Sequence, residues 1–177
     1  MASTLTPDET LLGLLAQRER HGYELLDCFR QRDQLGRVWD LSTSQLYAVL
    51  KRLETGGWII GRAVQSETAP TRTVYALTES GRERLQAWLL DSAPSASVRR
   101  VRVEFLSRLF IARHVNIPTS EIVACQRRAC LDRLSQLQHE RSAAAPGMDV
   151  LTLDFQIAQM TAIIDWIERA ELIRRDT

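Results

Sequence analysis

The sequence predicts a mostly α fold with a small two-stranded β-wing. An N-terminal winged helix-turn-helix is followed by a C-terminal helical dimerisation region. Three observations carry this. Residues 42–78 read as a helix, two glycines, a strand, a polar tip and a second strand. A helix followed directly by a ribbon is the winged helix-turn-helix layout, in which the helix enters the DNA major groove and the ribbon lies along the phosphates. Residues 90–97, LDSAPSAS, form the best linker in the chain. Beyond that linker every apolar pattern has helical spacing. The expected domains are therefore residues 1–92, binding DNA, and 93–177, forming a dimer.

The elements follow in order. Leu11, Leu12, Leu14 and Leu15 give a first helix over about 8–18, and Asp8 and Glu9 after Pro7 suit its start. A second helix over about 22–34 has Tyr23, Leu25, Leu26 and Phe29 as apolar positions, and Gly36 ends it. Ser42 caps a third helix, and Ser42-x-x-Gln45 is a capping box. Leu46, Val49, Leu50 and Leu53 form its buried face, and Gly56-Gly57 stops it. Trp58–Val64 and Thr73–Leu77 are the strands, with QSETAPTR between them as the wing tip. Thr78 caps a fourth helix carrying Leu85, Trp88 and Leu89.

The second half is helical throughout. A helix over about 98–114 aligns Val101, Phe105, Leu106, Leu109 and Phe110. Another, over about 119–142, aligns Val123, Cys130, Leu134 and Leu137. Residues 143–147, AAAPG, turn the chain into a last helix over about 150–174. One of its faces carries Leu153, Ile157, Met160, Ile164 and Ile167 at heptad-like spacing. A second face carries Phe155, Ile163, Trp166, Ala170 and Ile173. Two apolar faces exceed what one small neighbour buries, and a second copy of the chain is the most economical cover.

The totals exclude several classes. A chain of 177 residues with 45% hydrophobic and 25% charged residues is ordinary for a soluble globular protein. No apolar run approaches the ~20 residues of a membrane span, and the start MASTLTPDET lacks a secretory pattern. Cytoplasm is the expected location. Three cysteines, Cys28, Cys125 and Cys130, argue against a disulfide framework and read as small core residues, with a thiol sensor as the other reading. No phosphate loop, nucleophile motif or paired metal ligands are visible, so neither an enzyme nor a cofactor or metal site is expected. Residues 1–92 carry eleven Lys/Arg against twelve Asp/Glu, a net of −1. That balance keeps a second class open, a winged-helix protein-interaction module that binds no DNA.

Leu12–Leu15 before residues 21–25, HGYEL, resembles the opening of PadR-type transcriptional regulators. Residues 45–59, QLYAVLKRLETGGWI, are similar to that family's recognition-helix signature. Residues 72–81, RTVYALTESG, match its second wing strand and next helix start. The helices from 98 to 175 resemble its dimerisation region. The resemblance implies a homodimer that binds a palindromic operator, usually represses, and is often released by a small phenolic or other aromatic compound. Ser44-Gln45 stands where many members carry Gly-Thr or Gly-Ser, and the wing is less basic than in many.

Candidate site residues follow from chemistry and position. Thr43, Ser44, Gln45 and Ala48 lie opposite the buried face of the third helix. Gln pairs bidentately with adenine, and Thr or Ala methyls contact thymine. Lys51 and Arg52 further along are phosphate candidates, and Arg72 with Thr73 plays that part at the wing. Tyr47 matches a backbone-contacting position of the family; the alternative is ring packing on the second helix. Tyr75 is expected in the core, and His21 as a helix cap. Arg99, Arg100, Arg102, Arg108 and Arg113 suggest intersubunit ion pairs to Asp154, Asp165 or Glu168, or a second DNA surface. Trp88, Phe105, Met160 and Trp166 are candidates for an effector pocket, since aromatic walls suit a planar ligand.

Overall fold

The computed structural model describes residues 5–65 and 72–175, with side chains described to residue 169. Most of the expected wing tip, residues 66–71, lies outside the described residues, as do the side chains of Ala170 and Ile173. The described chain is mostly helical with a three-stranded antiparallel sheet. The predicted class holds, with one strand more than the ribbon expected. The chain forms two compact units. The first comprises the residues up to Leu90 and Val103–Thr119, and the second comprises Asp91–Arg102 and the residues from Ser120 onward. Residues 103–119, grouped by sequence with the C-terminal half, thus fold into the first unit.

In the first unit, α1 spans Asp8–Leu15 and buries Asp8 and every residue from Thr10 to Leu15. It ends before the expected residue 18, because Arg20–His21 become a short strand, β1. The helix α6, Leu106–His114, packs on α1. A Cβ at Gly13 would lie 2.3 Å from Cγ2 of Ile111, so glycine permits that approach. The helix α2 spans Gly22–Arg30 and stops short of residue 34. There the Gly36 N–H donates to the Gln31 carbonyl (2.9 Å) and the Leu35 N–H to that of Cys28 (3.1 Å), turning the chain. Tyr23, expected on the apolar face of α2, is 66% exposed; the buried face is Leu25, Leu26, Cys28 and Phe29.

The helix α3 spans Thr43–Thr55 and ends at Gly57, whose φ of +74° is the left-handed conformation glycine adopts without strain. Strands β2, Ile59–Val64, and β3, Arg72–Leu77, pair from Ile59↔Leu77 to Val64↔Arg72. The sheet order is β1-β3-β2, with Arg20 opposite Tyr75 and His21 opposite Val74. Tyr75 is buried, as expected. The helix α4, Glu79–Leu89, is capped by Thr78, whose hydroxyl accepts from the Gly81 N–H at 3.2 Å.

In the second unit, a single turn, α5 (Val98–Arg100), leads into a π-helical turn at Val101–Phe105. The expected single helix over 98–114 is therefore α5, this π turn and α6 in succession, and the unit boundary falls within the π turn. Two long helices follow, α7 (Ser120–Ala143) and α8 (Met148–Arg175). They are antiparallel: Arg127 bonds Glu168 at 2.5 Å, and Arg141 bonds Asp154 at 2.6 Å. These pairs correct the expectation that Asp154 and Glu168 await arginines of another subunit. Arginines of α7 in the same chain already hold them.

Cys125 and Cys130 are buried on α7 and Cys28 on α2, and all three are free. Among the described residues of α8, Met160, Ile164 and Ile167 are buried. Its other face is open: Met148, Leu151 and Phe155 are all more than 60% exposed, and Trp166 is 38% exposed. By length and composition alone, the segment Met148–Arg169 is long and apolar enough to cross a membrane. That finding narrows the expectation that nothing approaches a span. Asp154 and Asp165 interrupt its apolar run, so no uninterrupted apolar stretch of that length is present.

Candidate nucleic-acid interface

The capping box of α3 forms as its spacing predicts. The Gln45 N–H donates to the Ser42 hydroxyl (3.3 Å), and the Ser42 N–H donates to Oε1 of Gln45 (2.9 Å). Leu46, Val49, Leu50 and Leu53 turn inward. With 3.6 residues per turn, the opposite face is then centred on Ser44, Ala48 and Lys51. All three are exposed, as is Thr43. Gln45 is exposed too, but its side-chain Oε1 already accepts from the Ser42 N–H, so a bidentate adenine contact would compete with the helix start. The Ser44 hydroxyl lies 3.1 Å from that of Ser42.

Tyr47 is 40% exposed, and its ring lies on the N-terminus of α2. A Cβ at Gly22 would stand 2.7 Å from the Tyr47 hydroxyl, so Gly22 makes room for the ring. The ring of Tyr47 thus packs on α2 while the residue stays part-exposed. His21 occupies the N-cap of α2, and its N–H donates to the Glu24 carboxylate at 2.8 Å. At the wing, Arg72 and Thr73 are exposed at the start of β3. Arg62 on β2 lies 3.6 Å from Glu19.

Arg52 differs from its neighbours. Its Nε and Nη2 donate to the two carboxylate oxygens of Asp8, at 3.0 and 2.6 Å. The Asp8 side chain is only 5% exposed. Burial pushes its carboxyl pKa up, but hydrogen bonds from Arg52 and Thr6 and the charges of Arg52 and Arg84 outweigh this and hold it below the usual value. Arg84 on α4 donates to Glu9 at 2.6 Å, lies 4.0 Å from Asp8, and stacks 3.9 Å over the Trp58 ring. Trp58 joins α3 to the wing: its N–H donates to Leu53, and its carbonyl accepts from Thr78. Sequence reading missed Asp8, Glu9, Arg84 and Trp58. The one available signal was a second role for acids read only as helix-start charges.

The four effector candidates divide between the units. In the first, Phe105 is buried and Trp88 half-buried, with the Arg108 guanidinium 5.5 Å from the Trp88 ring. Arg108 is itself buried and 3.5 Å from Glu104, so it is a core residue rather than part of a basic surface. Arg99, Arg102 and Arg113 are exposed, and Arg100 is half-buried. In the second unit, Met160 is part of a cleft of about 420 Å³ shared with Ser97, Arg133, Leu137, Gln156 and Gln159. Trp166 does not line this cleft. Among the described residues no cluster of His, Cys, Asp or Glu suits a metal.

Comparison with known proteins adds to this geometry. The model of the transcriptional regulator PadR-like family matches residues 11–87. The chain is similar to the negative transcriptional regulator PadR of Bacillus subtilis (strain 168), 32% identical over 149 residues, which are 82% of this chain and 80% of that protein. Among solved structures, it is similar to Bacillus subtilis PadR in complex with operator DNA, with 25% identity and a TM-score of 0.47 over 94% of this chain and 97% of that one. It is also similar to the same protein in complex with p-coumaric acid, with 25% identity and a TM-score of 0.43 over 93% and 92%.

Proposed function

The chain belongs to the PadR-like family of transcriptional regulators, and from that membership we propose that it is a dimeric repressor binding a palindromic operator and released by a small aromatic or hydrophobic effector. The observation that carries the DNA-binding part is the exposed face of α3. It presents Thr43, Ser44, Ala48 and Lys51 at a capped helix start, beside a wing that exposes Arg72 and Thr73. Thr43, Ser44 and Ala48 reach base edges, while Lys51, Arg72 and the hydroxyl of the part-exposed Tyr47 hold phosphates. DNA binding resides in the first unit.

The open face of α8 is where a second copy docks. Met148, Leu151, Phe155 and Trp166 recur at intervals of three, four and eleven along one side, the spacing of a helix-on-helix seam. A two-fold dimer would present two copies of α3 to two half-sites. The effector reading rests on the family and on the Met160 cleft, where apolar walls meet Arg133 and two glutamines. A regulator of this kind works where the DNA is, which this reading takes to be the cytoplasm.

The near-neutral first unit supports a second reading, a protein-interaction module. Several of its arginines are paired in place, Arg18 with Glu24, Arg52 with Asp8 and Arg84 with Glu9. A mobility shift on the DNA upstream of the protein's own gene separates the two readings. It is run at two salt concentrations beside the Lys51→Ala/Arg72→Ala double variant. A specific shift that weakens with salt and with the substitutions supports the repressor. No shift on that DNA, or on a randomised pool, moves the protein to the interaction class.

A further inference from the structure

Arg52 lies on α3, the helix assigned above to DNA, yet its guanidinium is held in a bidentate grip by a buried carboxylate on α1. Two arginines and one tryptophan link four elements. Arg52 of α3 grips Asp8 of α1, Arg84 of α4 grips Glu9 beside Asp8, and the Arg84 guanidinium covers Trp58 at the root of the wing. Packing alone does not require this arrangement. An ion pair whose arginine is half exposed to water contributes little net stability. A bidentate arginine–carboxylate pair supplies direction as well, because the planar fork meets both oxygens in only one orientation.

We propose that Asp8 and Arg52 are positioning residues for DNA recognition: their pair sets the rotation of α3 about its own axis, and Arg52 contacts no phosphate. Arg84 and Trp58 extend the same constraint to the wing, so the helix and the ribbon meet DNA in fixed relation. This rests on the DNA-binding reading. It assigns Arg52 a role opposite to the one its place on the helix suggests.

The two roles predict different salt behaviour. Losing a phosphate contact flattens the dependence of log affinity on log salt by about one unit. Losing a positioning contact lowers affinity without that signature. Full-length wild type, Asp8→Asn, Arg52→Lys, the Asp8→Asn/Arg52→Lys double variant and a Lys51→Ala control are titrated against a duplex selected from a randomised pool. Each is measured across a salt series, with Kd taken per active molecule from stoichiometric titration. A merely structural loss reduces the active fraction and leaves that Kd in place.

The expected result is a rise of about tenfold in Kd for Asp8→Asn and for Arg52→Lys, with the wild-type salt slope. The double variant binds no worse than either single one, and Lys51→Ala alone flattens the slope. Wild-type or tighter binding by Asp8→Asn, which would free a cation beside the DNA, overturns the proposal. So does Arg52→Lys binding within about twofold of wild type, because lysine keeps a phosphate contact and loses only the fork. If Asp8→Asn does not fold, Arg52→Lys decides alone, since its side chain is half exposed. Wild type that selects no DNA from the pool instead defeats the DNA-binding reading, an outcome visible before any variant is compared.

Discussion

In the first unit α1 buries every residue from Thr10 to Leu15, whereas in the second α8 leaves Met148, Leu151, Phe155 and Trp166 in solvent. Both helices are apolar on more than one side. The difference lies in what surrounds them. Around α1 the chain supplies α4, α6 and β3, so a helix buried on every side from Thr10 onward finds cover within its own unit. The main neighbour of α8 is α7, which covers the side carrying Met160, Ile164 and Ile167. A unit that closes its own core can act as a rigid reader. A unit with an open apolar stripe has a surface left for a partner to cover.

Several measurements break or sharpen that contrast. The largest effect is expected from Leu50→Ala. Leu50 is fully buried in the first unit, and its truncation costs about 2–5 kcal/mol in a denaturant melt followed by circular dichroism. A loss below about 1 kcal/mol would mean that this core is looser than its burial indicates. Next is Leu151→Ser/Phe155→Ser on the open face of α8. The substitution should leave the first unit's melt unchanged while weakening self-association by about a hundredfold or more, read by sedimentation. Unaltered self-association would place the interface elsewhere.

Ser42→Ala removes the α3 cap and is expected to cost about 1 kcal/mol. Its signature is local, with faster amide exchange in the first turn of α3 and none in α7 or α8. Uniform change across both units would count against an autonomous first unit.

The smallest effect is a pH dependence confined to the first unit. Burial, then the charges of Arg20 and Arg18, lowers the His114 pKa from its ordinary 6.5. Arg20 lies 3.2 Å from Nε2 of His114 and donates to the neutral ring. Protonation would set two cations face to face. The folded pKa lies below the unfolded one, so the unfolded chain binds the proton more readily. His114 therefore leaves stability intact above about pH 6.5, and stability falls as pH drops from there towards the folded pKa. The melting temperature of the first unit should decline modestly over that window, and His114→Gln should flatten the decline. An equal slope in the variant would assign the effect to another group.

Much of the reading helix and its frame was legible because the interactions that form them are local. Ser42 and Gln45 are three residues apart, and the cap they make needs no other part of the chain. Gly56-Gly57 and Thr78 bound their elements for the same reason. The family signature over residues 45–59 and 72–81 placed the helix and wing in order, and the matched family model spans both. Tyr23 was misread because its spacing suits an amphipathic stripe, while the face α2 turns to the sheet is chosen by what lies against it.

By itself, then, the sequence determined the winged-helix order, the helix caps, the stop at Gly57 and the two apolar faces of the last helix. Each of these is written in residues a few positions apart, where backbone geometry and helical period convert spacing directly into structure. Only the tertiary structure decided that Arg20–His21 form a third strand, that Val103–Thr119 join the first unit, and that Arg52 grips Asp8. Those contacts join residues tens of positions apart: Arg52 and Asp8 are separated by 44. An arginine on an exposed helix looks the same in sequence whether its partner is a phosphate or a buried carboxylate. The direction of its side chain is set only when the chain brings Asp8 of α1 to α3.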